Sequence, residues 1–152
     1  MNVEQLMSKD LRTCSQNETL DCAARVMWER DCGVVPIVDS AKHVVGMITD
    51  RDICIAVYTQ NKLLAQIPIS TIGMKPVVCV HPQDSAQTAE ALMQEHQIRR
   101  LAVTDNKGRI VGMLSINDLA RGAARHPRDL PTEEITMTLA AIGRPRPVQA
   151  TA

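Results

Sequence analysis

The chain has 152 residues and carries 17 lysines and arginines against 17 aspartates and glutamates, so its formal net charge is zero. That length suits one compact domain or two small ones sharing a core, and the charge balance excludes a non-specific grip on nucleic acid. Trp28 and Tyr58 stand alone as aromatics, with no phenylalanine; the core must be aliphatic, and a base-stacking platform is excluded.

Val3 to Met7 reads as a short helix with Leu6 and Met7 on one side, and Leu11 to Cys14 as a short strand. A helix starts near Thr19, a residue able to cap the free amides of the first turn. Leu20, Ala23, Ala24, Met27 and Trp28 recur at helical spacing and mark its buried face. Gly33 is suited to a left-handed exit. Val34 to Val38 is an apolar strand, and Pro36 within it demands an edge position or a break in the ladder. A polar turn, Asp39 to Lys42, leads into a strand from His43 to Thr49, and a helix opens at Thr49 or Asp50. Thr59 to Ile67 reads as a linker.

The order then repeats. Pro76 to Val80 is the short strand, and Asp84 or Ser85 caps a helix bearing Ala89, Leu92, Met93 and His96. Leu101 to Thr104 is a strand, Asp105 to Gly108 a tight turn, Arg109 to Leu114 a strand and Ser115 to Ala124 a helix. Gly46 returns as Gly112, an offset of 66 residues that also aligns Met27 with Met93, Asp39 with Asp105 and Asp52 with Asp118. Each half is strand, helix, strand, strand, helix, too small to bury its apolar faces alone. Two such halves pressed together through their sheets give an α+β fold. The expected boundaries are 1–66 for the first unit with its N-terminal helix, 67–125 for the second, and 126–152 for a tail. That tail starts a helix at Thr132 and from Gly143 onward is disordered or an arm that docks elsewhere.

The N-terminus lacks the basic and apolar stretches of a secretory signal, and no apolar run is long enough to cross a bilayer. A cytoplasmic location without a membrane partner is the expectation. Cys14, Cys22, Cys32, Cys54 and Cys79 are odd in number and show no C-x-x-C spacing. In a reducing compartment they read as small buried hydrophobes. The four histidines, His43, His81, His96 and His126, have no metal-ligand spacing, and Cys79 and His81 merely alternate along a strand. No metal site is expected. No nucleophile-base pair, P-loop or dinucleotide fingerprint is present, which argues against an enzyme.

The chemistry lies in Gly46-Met47-Ile48-Thr49-Asp50-Arg51-Asp52 and its copy Gly112-Met113-Leu114-Ser115-Ile116-Asn117-Asp118. A hydroxyl at a helix N-terminus stands beside free amides and makes an anion site. A carboxylate one turn on can accept from two vicinal hydroxyls, as on a ribose edge. The same residues also fit a capping box, with Asp52 or Asp118 at the third position. Both readings stand on the residues alone.

The doubled Gly-hydrophobic-hydrophobic-Thr/Ser-x-x-Asp pattern, with Gly33 to Asp39 and His96 to Val103, resembles the tandem cystathionine-β-synthase (CBS) domain pair, or Bateman module, and its stand-alone bacterial forms. The resemblance covers about residues 5–125. It implies two pseudo-twofold-related units with two clefts between them, binding adenosine-containing ligands such as AMP, ADP, ATP or S-adenosylmethionine. Carried over, Asp52 and Asp118 face the ribose, and Thr49 and Ser115 the phosphates. Cys14, Val35 and Pro36 in one unit, and Val80, His81, Leu101 and Ala102 in the other, supply walls to adenine. Ala102 stands where the first unit has Pro36. Basic residues before the central strand imply that Arg99 and Arg100 reach phosphates, joined by Arg51; alternatively they are solvated or pair with Glu95 or Asp105. The resemblance also implies a homodimer formed through the helices, near Trp28 and the helix from Asp50.

The leading function is therefore a regulatory nucleotide sensor that signals through an unknown protein partner. The competing one is a structural or dimerisation module with vestigial clefts.

Overall fold

A computed structural model describes residues 1–72 and 76–145. In chain order the elements are α1 (Val3–Leu6), β1 (Cys14–Ser15), α2 (Leu20–Arg30), β2 (Val34–Val38), β3 (Val44–Thr49) and α3 (Asp50–Gln60), then β4 (Cys79–Val80), α4 (Ala86–His96), β5 (Arg100–Thr104), β6 (Ile110–Ser115), α5 (Ile116–Arg125) and α6 (Thr132–Ile142). They build two sheets, β1-β2-β3 and β4-β5-β6. In each, the central strand pairs parallel with the short strand and antiparallel with its hairpin mate. The fold is α+β, with the expected strand and helix order in both halves and a tail helix. Of the tail end expected to be disordered, Gly143 closes α6 and Arg144 O accepts from Gln97 Nε2 at 3.1 Å; residues 146–152 lie outside the described residues.

The two halves exchange their lead segments. Ile67 and Ile69 are fully buried in the first core, beside Leu20 and Ile37. Val3 is fully buried in the second, beside Val80 and Leu101. The backbone is tied accordingly: Leu20 N–H donates to Ile67 O and Ile69 N–H to Glu18 O, while Val3 N–H donates to Asp84 O and Ala86 N–H to Met1 O. The expected linker is thus partly core, and α1 packs against the second unit rather than the first. Sequence order does not reveal the fate of Val3, which is separated from its core by the entire first unit, whereas Ile67 and Ile69 follow α3 directly and fold back on the core just before them.

Pro36 sits in a central strand, not at an edge, and the break it demands is visible by comparing the halves. In the second unit β4 meets β5 at Cys79–Ala102 and Val80–Val103. In the first, β1 meets β2 only from Cys14–Ile37 onward, one residue past the proline. A residue without an N–H shortens the ladder at its own position. Three local expectations change. Asp31, with φ 47°, makes the left-handed exit from α2; Gly33 instead lets the Asp50 carboxylate approach, since a Cβ there would stand 2.9 Å from Oδ2 and push that side chain aside. Thr19 occupies the N-cap position, but its hydroxyl donates to the Asp21 carboxylate and not to the backbone as an acceptor. Trp28 is 88% exposed. It lies one residue beyond Met27, and about 100° of helical rotation carries it off the buried stripe.

The hairpin turns are copies. Asp39 Oδ1 accepts from the N–H groups of Ala41 and His43, and Asp105 Oδ1 from those of Lys107 and Arg109. The Arg109 guanidinium bonded to Asp105 holds its carboxyl down at about 2. Lys42 adopts φ 70° where the second turn has Gly108 at φ 75°. A side chain is strained there and glycine is not. Lys42→Gly is therefore expected to raise stability by about 0.5–1 kcal/mol, the left-handed penalty less the entropy glycine loses. Urea unfolding checks this, and a lower midpoint contradicts it.

Helix α6 docks on the second unit through Ile135 and Ile142, with Leu130 buried ahead of it. Thr138 Oγ1 accepts from Gln94 Nε2 at 2.8 Å and donates to Glu90 Oε2 at 3.1 Å. Glu90 is only 4% exposed. Its Oε1, like Glu134 Oε2, is buried without a hydrogen-bond partner among the described residues. Burial pushes the Glu90 carboxyl up, Thr138 opposes this, and nearby Glu134 adds to the rise. A raised folded pKa stabilises fully below the unfolded value, and that contribution fades as pH climbs through the folded one. Melting curves between about pH 5 and pH 8 should show Glu90→Gln raising Tm at the upper end and hardly at the lower. An equal gain at both ends contradicts the burial of a charge.

Candidate functional site

β3 and β6 each pass directly into a helix. Thr49 and Ser115 end the strands in extended backbone and become the N-caps of α3 and α5. Thr49 Oγ1 accepts from Asp52 N–H at 3.2 Å. Asp52 Oδ2 accepts from Thr49 N–H at 2.8 Å and from its hydroxyl at 2.7 Å. Ser115 and Asp118 repeat this, with 3.2 Å and 2.8 Å for the backbone bonds. The capping box is therefore present at both motifs. It consumes one carboxylate oxygen and leaves the other.

The remaining oxygens differ between the halves. Asp52 Oδ1 has no hydrogen-bond partner among the described residues, and Asp52 lines a cleft of about 780 Å³. Asp118 Oδ1 accepts from Arg121 Nη2, an i,i+3 ion pair, and Asp118 is only 9% exposed. It borders a recess of about 90 Å³ whose walls are Met1, Gln5, Leu6, Gly122, Arg125 and His126, together with Arg121. At the 66-residue offset these walls match residues of the large cleft: Thr71, Ile72, Ala56, Thr59 and Gln60 stand for Gln5, Leu6, Gly122, Arg125 and His126. Leu6 packs so tightly on Gly122 that a Cβ there would collide with it. The two places are equivalent by repeat, one open and one filled.

The open cleft lies between the units. The first contributes Val34, Met47, Ile55 and the turn from Thr49 to Asp52; the second contributes Val77 and Val78 before β4, and Ile98, Arg99 and Arg100 leading into β5. Arg51, Arg99 and Arg100 make no ion pair among the described residues. Arg100 Nη2 and Asp50 Oδ2 both stand against Gly33, which gives the second unit's cation access to the first. A helix N-terminus, three guanidinium groups and apolar walls thus face one space. Such a space can hold an anion and an apolar ring together.

Of the residues singled out from sequence, Thr49, Arg51, Asp52, Arg99 and Arg100 come together in this cleft. Asp118 lines the small recess, with Ser115 as its capping partner. Cys14, Val35, Val80, Leu101 and Ala102 are wholly or almost wholly buried in the cores, and Pro36 is buried in β2. None of these six lines either cavity. His81 is exposed, with Nδ1 at 2.9 Å from Thr104 O. The walls that sequence missed, Val77, Val78 and Ile98, immediately precede the strands. Mid-strand residues of a central strand are covered, so strand ends reach the cleft; position relative to the strand start was the available signal.

A CBS-domain family model matches residues 3–59 and again residues 69–125. The chain belongs to the CBS-domain family. The two matches start and end 66 residues apart, the offset of the repeat. The CBS domain-containing protein YhcV of Bacillus subtilis is 34% identical over 119 residues, covering 78% of this chain and 83% of that one. The crystal structure of Hypoxic Response Protein I with two coordinated zinc ions is 30% identical, with a TM-score of 0.72 over 80% of this chain and 98% of that chain. The CBS domain pair of MJ0100, in complex with 5′-methylthioadenosine and S-adenosyl-L-methionine, is 28% identical with a TM-score of 0.71, covering 80% and 98%. Both structures share the paired CBS architecture seen here. No helix among the described residues is long and apolar enough to cross a membrane.

Proposed function

We propose that this CBS pair is a regulatory module that binds one adenosine-containing nucleotide, AMP, ADP or ATP, in the cleft of Asp52. The observation that carries the reading is the unused Oδ1 of Asp52, a residue that lines a cavity together with Thr49 and three unpaired arginines. That oxygen can accept from ribose hydroxyls while Oδ2 keeps the helix cap. Arg51, Arg99 and Arg100 balance a phosphate. They favour a nucleotide over S-adenosylmethionine, whose sulfonium is itself cationic, although the MJ0100 pair takes S-adenosyl-L-methionine. Met47, Val77, Val78 and Ile98 offer apolar contacts to adenine. The equivalent place at Asp118 is filled by Leu6 and neutralised by Arg121, and takes no ligand. The module acts by binding rather than by catalysis. Ligand joins the two units across the cleft and shifts the surface they present to a protein partner.

Isothermal titration of ligand-stripped protein tests this. Asp52→Asn is expected to weaken nucleotide binding about tenfold, the difference between a charge-assisted and a neutral hydrogen bond. Asp118→Asn leaves affinity unchanged. Equal losses in the two variants, or no heat with AMP, ADP and ATP, contradict the reading.

The output surface we assign to a homodimer. Trp28 and Tyr58 are each 88% exposed on α2 and α3, and Ile55 and Val57 add to the apolar area. Burying two aromatics in an isologous contact removes that area from water. Light scattering is expected to give a dimer, and Trp28→Glu combined with Tyr58→Glu a folded monomer. A monomeric parent protein contradicts this.

A further inference from the structure

Away from the cleft, the turn between β1 and α2 brings two thiols and a carboxylate together. One donor atom each from Cys14, Glu18 and Cys22 lies within 4.8 Å of the other two. Cys14 is fully buried in β1, Cys22 is 9% exposed in the first turn of α2, and Glu18 is exposed at the mouth. Glu18 Oε2 accepts from Ser15 N–H at 2.6 Å, which fixes the carboxylate and leaves Oε1 available.

The second unit serves as an internal control. At the 66-residue offset it has Val80, Asp84 and Thr88. Asp84 Oδ2 accepts from His81 N–H at 2.7 Å, the counterpart of the Glu18 bond. The carboxylate therefore braces the same turn in both halves. Both side chains pack in the first core, but the fold does not require sulfur at either place, since valine and threonine occupy them in the equivalent unit. Sulfur at both positions of the first unit is a chemical addition.

Charge fits a cation as well. Burial pushes both thiols up. Arg25 sits close enough to favour the thiolate at each. A divalent ion that displaces two thiol protons to solvent meets two thiolates, one carboxylate and this guanidinium, and the site sums to zero. A neutral sum is what a buried site requires. Sulfur and oxygen ligands at about 2.3 and 2.0 Å in a tetrahedron stand about 3.5–3.8 Å apart, so shifts of about 1 Å close the site.

We propose that Cys14, Glu18 and Cys22 bind one thiophilic divalent cation of the zinc type, with water as the fourth ligand on the exposed Glu18 side. The site lies outside the cleft and stands or falls independently of nucleotide binding. It pins β1 to α2, and its affinity rises with pH because two protons leave.

Cobalt(II), titrated into reduced, chelator-stripped full-length protein, is the probe. The expected result is one equivalent bound per chain, with a thiolate-to-cobalt charge-transfer band that zinc abolishes. Cys14→Val combined with Cys22→Thr, which installs the residues of the second unit, is expected to lose the band while keeping its circular dichroism. Affinity should fall by at least about a hundredfold, the upper end of what losing a mere outer-shell partner costs. Glu18→Gln weakens binding and leaves the band. A triple variant, Cys32→Ser, Cys54→Ser and Cys79→Ser, keeps both. No band in the parent protein, a band surviving in the Cys14/Cys22 variant, or a band lost from the triple variant overturns the proposal.

Discussion

The reciprocal burial of two short lead segments holds this molecule together. Ile67 and Ile69 complete the first core, and Val3 the second. Each half has a three-stranded sheet and two helices, too little to exclude water from its own apolar faces. The first core is closed by the segment that follows it, but the second is closed by Val3, which lies before the first unit, so the second half cannot be complete without the start of the chain. This requirement also places the end of β3 opposite the approach to β5, and a cleft between units follows.

The same lead segments decide which cleft is open. At the first motif, the equivalent lead supplies Thr71 and Ile72 to the rim of the large cavity. At the second, Gln5 and Leu6 occupy the corresponding place, and Leu6 fills the space beside Gly122. Arg121 then ties up the carboxylate oxygen that its partner motif leaves free, since the first unit has Ile55 there. Duplication made two equivalent places, and three residues made them chemically unlike. A helix cap and a ligand grip are compatible at one motif because a carboxylate has two oxygens. Thr49 and Asp52 use one for folding.

Much of this was legible in the sequence. The offset between Gly46 and Gly112 disclosed the duplication, and the 3.6 and 2 periodicities placed most elements within a few residues. The motif residues Thr49 and Asp52, and the arginines of the second unit, were visible as residue types suited to phosphate and sugar. Other features depend on packing between distant segments. The exchanged leads could not be read, because nothing in Val3 or Ile69 says which core receives it. Trp28 lay one residue from a buried stripe, too near for periodicity to separate. Val35 and Leu101 looked like cleft walls because strands bear walls, yet a central strand is covered and only its approach is open. The Cys14, Glu18 and Cys22 cluster was hidden because it spans a strand, a turn and a helix, so no single period links it. The fate of Asp118 was partly written in Arg121, three residues on, a spacing that places a cation on the same helical face.

A duplicated unit yields one usable cleft. Native mass spectrometry of ligand-stripped protein, titrated to saturation with AMP, tests it directly. One nucleotide per chain is the predicted result. Two per chain filled with similar affinity, or none at saturation, would contradict it.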